Sequence, residues 1–226
     1  MPKLKILLTS FRPSGLRRPQ RDGQPLARAL RRAVAAPLAA QRGARVLLLS
    51  TTNQALSEAN DELARLATQD GLTGIDNRRR FEDKLLEAFR TMKRTGRCFT
   101  VLMLDADHFK KVNDRHGHQV GDEVLKQLAQ LMLHNVRSTD VVARYGGEEF
   151  VVLLPDTADE QVGLRVAEKI RAAAGASVFP VAGKLTVSVG VALAQVSDDT
   201  CKAVVHRADE ALYEAKHQGR NRVVVG

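Results

Sequence analysis

Apolar positions along the chain recur with two periods, and the switches between them mark out the elements. Leu49, Thr52, Leu56, Ala59, Leu63 and Leu66 fall at alternating three- and four-residue spacings, with Asn53, Glu58, Asp61 and Glu62 between them. That is the a/d pattern of about three heptads, so it predicts a helix over 46–69 that seeks a parallel partner; packing on its own domain is the alternative. Gly71 and Gly74 break the helix, and Phe81, Leu85, Leu86 and Phe89 start another over Arg78–Thr95. Phe99–Leu104 is a short apolar run bounded by polar segments, the mark of a buried strand. A short helix over Asp107–Arg115 and a loop over Gly117–Gly121 follow, then a longer helix striped by Val124, Leu125, Leu128, Leu131, Met132 and Val136.

The β-prone runs Asp140–Tyr145 and Glu148–Leu154 flank Gly146 and Gly147, which predicts a hairpin pivoting on the two glycines. Pro155-Asp156-Thr157 reads as a turn and N-cap for a helix over Ala158–Ala174, and Lys184–Ala194 alternates as a half-buried strand. Thr200–Gly219 is again helical, closing at Gly219, and Val223–Val225 is a last strand. The fold class is α/β (α+β): a single sheet centred on an antiparallel hairpin, helices packed on it, and a coiled-coil helix in front.

Charge changes the picture at one end only. Of 35 Lys/Arg and 26 Asp/Glu, eleven bases and one acid lie in Met1–Arg45, which leaves 24 bases and 25 acids for the rest. The folded part is therefore near neutral, which argues against nucleic-acid binding by it. With Pro13, Pro19, Pro25 and Pro37 among its arginines, 1–45 is expected to be a basic leader, disordered or truncated, without continuous helix. Leu26–Ala36 offers the alternative of a short basic amphipathic turn at an anionic membrane surface. Two cysteines, Cys98 and Cys201, give no disulfide framework or zinc spacing, and no apolar run spans a bilayer. Cytoplasmic localisation is the expectation.

Candidate chemistry gathers at two places. Acids directly after a tight turn are unusual in strands, and Glu148 and Glu149 occupy that position. The Phe99–Leu104 strand ends in Asp105-Ala106-Asp107. If it lies beside the hairpin, Asp105 and Glu148 converge, and two carboxylates with a backbone carbonyl suit a hard cation shared with phosphates.

These residues also carry a family pattern. Asp105-x-Asp107-x-Phe109-Lys110-x-x-Asn113-Asp114, Gly117-His118-x-x-Gly121-Asp122 and Arg144-Tyr145-Gly146-Gly147-Glu148-Glu149-Phe150 stand in order. Together they resemble the GGDEF domain of diguanylate cyclases in its GGEEF variant. The likeness runs from Asp70-Gly71-Leu72-Thr73-Gly74 to Lys216-x-x-x-Arg220-Asn221 and makes 70–226 the candidate domain. It implies a ferredoxin-like palm as in class III nucleotide cyclases, and condensation of two GTP into cyclic di-GMP by a homodimer.

The resemblance implies a role for each matching residue. Asp105, the Ala106 carbonyl and Glu148 correspond to the binders of Mg²⁺ or Mn²⁺. Glu148 and Glu149 are candidates to assist deprotonation, which of the two being open, and Arg144 to stabilise transferring charge. Asn113 and Asp122 correspond to the guanine readers; capping a turn and capping a helix are their structural alternatives. His108, Phe109, Lys110, Lys216 and Arg220 are the remaining substrate contacts, the last two spaced to meet one phosphate from a helix end. Arg137 and Asp140 fit the RxxD pattern of the family's product-inhibition site. Two further readings remain open: a catalytically silent module that binds cyclic di-GMP, and a dimerising signalling adaptor.

Overall fold

The computed structural model describes residues 23–157 and 159–226. Two compact units divide the chain, Met1–Glu58 and Ala59–Gly226. Helix α1 spans Gly23–Thr68. The expected leader is thus helical from Gly23 onward, and Met1–Asp22 lies outside the described residues. Pro25 falls in the first turn, where its missing N–H would have had no helical partner, and Leu26–Ala36 is rich in the strong helix formers Ala, Leu and Arg. Along α1 the heptad residues Leu49, Leu56, Leu63 and Leu66 stay exposed.

The second unit is built on one six-stranded sheet. In chain order its elements are β1 (Asp76–Asn77), α2 (Arg78–Thr95), β2 (Thr100–Ala106), α3 (Phe109–His116), α4 (His118–Asn135), β3 (Val141–Gly146), β4 (Glu149–Leu154), α5 (Glu160–Ala176), β5 (Val187–Leu193), α6 (Cys201–His217) and β6 (Val223–Val225). The strand order is β1-β3-β4-β2-β5-β6. β2 runs antiparallel to both β4 and β5, while the outer pairs β1–β3 and β5–β6 are parallel. β2 is interior, and all seven of its residues are buried, which is why it reads as an unbroken apolar run.

Alternation along the strands feeds two cores. Leu102, Leu104, Phe150 and Val152 pack with Val124 and Leu128 of α4 and Ile170 of α5. Val101, Met103, Val151 and Leu153 pack with Phe81 and Leu85 of α2 and with Val204 and Leu212 of α6. A side chain's parity in β2 or β4 therefore decides which helices it meets.

Four local expectations need correction. The hairpin turn is Gly147-Glu148, one residue later than expected, because a bulge between Arg144 and Gly146 absorbs Tyr145 and pairs Gly146 with Glu149. Only Gly147 takes the left-handed backbone there, at φ +53°. The Gly117–Gly121 loop is reduced to Gly117, since α4 already begins at His118. Gly121 lies inside α4 for a packing reason: a Cβ there would overlap Asn113 Oδ1 and stand 3.0 Å from Phe109 Cζ of α3. Helix α5 is capped by Asp159, which accepts from Gln161 N at 2.9 Å, rather than by Thr157. Finally, α6 ends at His217, so Arg220 lies beyond the helix.

The β5–α6 connection is pinned by a two-pronged ion pair. Arg207 Nη1 and Nη2 donate to Asp198 Oδ1 and Oδ2 at 2.7 and 2.9 Å, and Nη2 also donates to Leu193 O at 3.0 Å. The Arg207 hydrogen bond holds the Asp198 carboxyl below its usual range, against the opposing effect of burial. Arg207→Ala should cost about 2 kcal/mol in urea denaturation at neutral pH. Because the folded-state value is depressed, the wild-type advantage is full above the ordinary carboxylate range and closes as pH falls through the folded value.

Candidate functional site

The site forms where β2 and β4 end together. Asp105 stands directly opposite Glu149 on one side and Ser188 of β5 on the other. By parity, Asp105 and Glu149 lie on the sheet face covered by α2 and α6. Glu148 sits at the turn tip, where its carbonyl accepts from Ala106 N at 3.4 Å. The expected convergence is of Asp105 with Glu148; the direct cross-strand partner is Glu149, and Glu148 at the turn tip is near enough for its charge to act on Asp105.

Electrostatics sets the character of this corner. Burial pushes the Asp105 carboxyl up, and the neighbouring charges of Glu148 and Glu149 push the same way. Lys216 opposes them, its Nζ 2.8 Å from Asp105 Oδ2. Asp105, Glu148, Glu149 and Lys216 when ionised sum to a formal charge of −2, a deficit that suits a divalent cation. Among the described residues no group of three His, Cys, Asp or Glu side chains is arranged to hold a metal. A cation here would rest on two carboxylates, the Ala106 carbonyl and the oxygens of its ligand, the sparse protein set that Mg²⁺ tolerates.

The second acid of Asp-Ala-Asp has another task. Asp107 is 5% exposed. Its Oδ1 accepts from Ser188 Oγ at 2.7 Å, and its Oδ2 accepts from Thr186 Oγ1 at 2.7 Å and from Asn221 N at 3.0 Å. Three donors satisfy a buried carboxylate without a cation. The carboxylate thereby ties the end of β2 to the turn carrying Arg220 and Asn221, both with positive φ. Lys216 and Arg220 consequently approach from different pieces of backbone, the last turn of α6 and the turn beyond it, where Arg220 N donates to Ala215 O at 3.0 Å.

The candidate base readers sit on a helix pair. Asn113 of α3 and Asp122 of α4 are separated by Gly117 and by close packing at Gly121. Asp122 is the fifth residue of α4, so it is not that helix's cap. The Asn113 side chain closes no turn either: its Oδ1 is buried without a hydrogen-bond partner. Phe109 is 6% exposed and belongs to the core beneath α4. His108 and Lys110 are exposed, His108 in the left-handed region at φ 59°.

Arg144 is engaged structurally. Its Nε donates to Gly147 O at 2.9 Å, and its Nη1 lies 3.2 and 3.3 Å from the two oxygens of Asp70. Asp70 Oδ1 also accepts from Thr73 N and Thr73 Oγ1. Burial works against the ionised Asp70, yet Thr73 and Arg144 together hold its carboxyl below the usual range. Asn77 donates to Ala67 O and Gln69 O at 3.1 and 3.3 Å, so the end of α1 is fastened beside the same contacts. Asp70 and Asp107 are the site-supporting residues that sequence reasoning did not single out; their place in the Asp70–Gly74 and Asp105–Asp107 motifs was the available signal.

Arg137 and Asp140 lie at the other end of β3, about 17 Å of strand from the turn. Arg137 N donates to Asp140 Oδ2 at 2.8 Å and Asp140 N to Arg137 O at 3.0 Å, while the Arg137 side chain is exposed.

Comparisons with known proteins bear on the family and the fold. The family described as "Diguanylate cyclase, GGDEF domain" matches residues 67–222. Response regulator PleD of Caulobacter vibrioides is 44% identical over 169 residues, covering 73% of this chain and 37% of that protein. Diguanylate cyclase A of Treponema denticola is 37% identical over 177 residues, covering 76% and 47%. The chain thus spans less than half the length of these relatives. Among solved structures, the coiled coil and GGDEF domain of DgcB from Caulobacter crescentus in complex with c-di-GMP matches with a TM-score of 0.75 at 34% identity, over 81% of this chain and 98% of that one. The active GGEEF domain of a diguanylate cyclase from Vibrio cholerae matches with a TM-score of 0.63 at 33% identity, over 66% and 96%.

Two substitutions test how the site is held. Asp107→Asn should place an amide N–H₂ against at least one of three donors, costing about 1–3 kcal/mol and speeding amide hydrogen exchange at Asn221. Gly121→Ala should force α3 and α4 apart at a cost of about 1–3 kcal/mol, read as a lowered urea midpoint.

Proposed function

Since the chain belongs to the GGDEF family of diguanylate cyclases, we propose that it condenses two GTP into cyclic di-GMP and two pyrophosphates. The observation that carries this reading is the corner of Asp105, Glu148 and Glu149, net negative beside Lys216. In each half-reaction a 3′-oxygen bonds to the α-phosphorus of the other nucleotide, the bond to the pyrophosphate oxygen breaks, and the hydroxyl proton passes to Glu148, Glu149 or water. Asp105, Glu148 and the Ala106 carbonyl would hold a divalent cation, Mg²⁺ or Mn²⁺. When bound, the cation neutralises triphosphate charge and acidifies the attacking hydroxyl.

The rest is positioning by this chain's own groups. Lys216 holds Asp105 in the absence of nucleotide and turns to phosphate oxygens when substrate arrives, with Arg220 and Lys110 completing the cradle. Asp122 accepts from the N–H groups of a guanine edge while Asn113 supplies an amide. Adenine, with its donor and acceptor exchanged, would leave these groups unpaired. A buried amide oxygen without a donor supports the view that Asn113 is kept for a ligand and rotates to meet it. Arg144 acts through the turn it grips and thereby places Glu148. One domain provides one half-site, so the active form is a homodimer, joined through the exposed heptads of α1 between Leu49 and Leu66. Arg137 and Asp140 form a separate product site, where a guanidinium can fork onto phosphate and inhibit. GTP as substrate and two unpaired thiols support a cytoplasmic setting for the reaction.

Purified protein with GTP and Mg²⁺ should release cyclic di-GMP and pyrophosphate in a 1:2 ratio, read by chromatography, and Glu148→Ala should lower the rate by about 10³-fold or more. Absence of product from a verified dimer would sink the proposal. Tight cyclic di-GMP binding without GTP turnover would reassign the chain as a binding module.

A further inference from the structure

The N-terminal half of α1 carries a pattern for which the proposed reaction has no use. From Gly23 to Ser57 there is no Asp or Glu, while Arg28, Arg31, Arg32, Arg42 and Arg45 lie in that stretch. Leu26, Leu30 and Val34 recur every fourth residue and stand 72%, 59% and 68% exposed. Arg28, Arg31 and Arg32 are exposed too. At about 100° per residue the three apolar side chains fill a stripe roughly 80° wide, with Arg31 on its flank and Arg28 and Arg32 on the far face.

A second copy of the chain does not fit this stripe. Continued backward from Leu49 and Thr52, the heptad register assigns Arg28 and Arg42 to a, and Arg31 and Arg45 to d. A parallel partner would face arginine with arginine at each of those layers, and no acid lies between Gly23 and Ser57 to offset them. The seam that suits a second copy therefore ends near Leu49. Leu26 and Leu30 fall at f and c of the same register and face away from any such seam, while Val34, at g, lies on its flank.

What fits is a surface that is apolar just beneath a layer of negative charge. A nucleic acid would engage the arginines and leave the leucines in water, whereas an anionic bilayer uses both. No described helix is long and apolar enough to cross a membrane, which leaves an orientation in the plane of the interface. The far-face arginines lie within a helix diameter of about 10 Å, close to one Debye length, so the surface potential still reaches them. We propose that Gly23–Arg45 binds the surface of a membrane rich in anionic lipid, with Leu26, Leu30 and Val34 entering the acyl boundary and the arginines at headgroup level. The inference uses neither GTP nor the acidic corner, so it stands or falls separately from the cyclase reading.

The test is co-sedimentation of the full chain with phosphatidylglycerol/phosphatidylcholine vesicles and with neutral phosphatidylcholine vesicles. Binding to the anionic vesicles alone is expected, weakening as salt rises. Arg28→Glu with Arg31→Glu and Arg32→Glu should lower affinity by about a hundredfold or more, and Leu26→Ser with Leu30→Ser by at least about tenfold. Circular dichroism checks that both variants keep their helix content. Should either lose it, Arg28→Gln with Arg31→Gln and Arg32→Gln gives the same reading with a smaller drop. No sedimentation, equal sedimentation with neutral lipid, or binding that the serine pair leaves intact while duplex DNA competes would each overturn the proposal.

Discussion

The structure depends on a repulsion held in place. Pairing β2 with β4 sets Asp105 opposite Glu149 and brings Glu148 alongside, in a corner where burial already disfavours charge. Lys216 answers part of that negative charge from α6. Asp105 gains a partner in Lys216, but the group as a whole stays short of neutral, and a ligand that brings positive charge completes it. An excess of negative charge kept in a partly buried corner is the usual condition of a functional site.

Three sets of contacts keep the corner from relaxing. The ladder on both sides of β2 fixes the register, and a slip of one residue would turn Asp105 onto the other core. Asp107 ties the strand end to the turn beyond α6. Arg144 ties the hairpin turn to Asp70, next to the end of α1. The last link sets the C-terminal end of α1, at Ala67, close to the acidic turn although Asp70 and Arg144 lie far apart in sequence.

Much of this was legible in the chain because it rests on period and punctuation. The apolar run Phe99–Leu104, the stripe of α4 and the β-prone runs around the glycines each state an element directly. The less legible parts depend on tertiary contacts. The bulge that moves the turn to Gly147-Glu148 reflects pairing across the hairpin, to which a pair of adjacent glycines is indifferent. Gly121 looks like a loop residue until α3 is laid against it. Asp107 sits in the same motif as Asp105 and is chemically identical to it; only the donors around it separate an anchor from a candidate cation ligand. The prolines of the leader point away from helix, yet Pro25 sits in the first turn of α1, where a helix tolerates it, and the alanines and leucines around Pro37 favour helix on both sides of it.

The sheet's borders have a consequence of their own. β1 offers two residues at one margin and β6 three at the other. Such short edge strands are poor templates for a strand from a neighbouring molecule, which disfavours edge-to-edge growth between crowded copies. Recognition between them is left to side chains, whose hold can be loosened and remade.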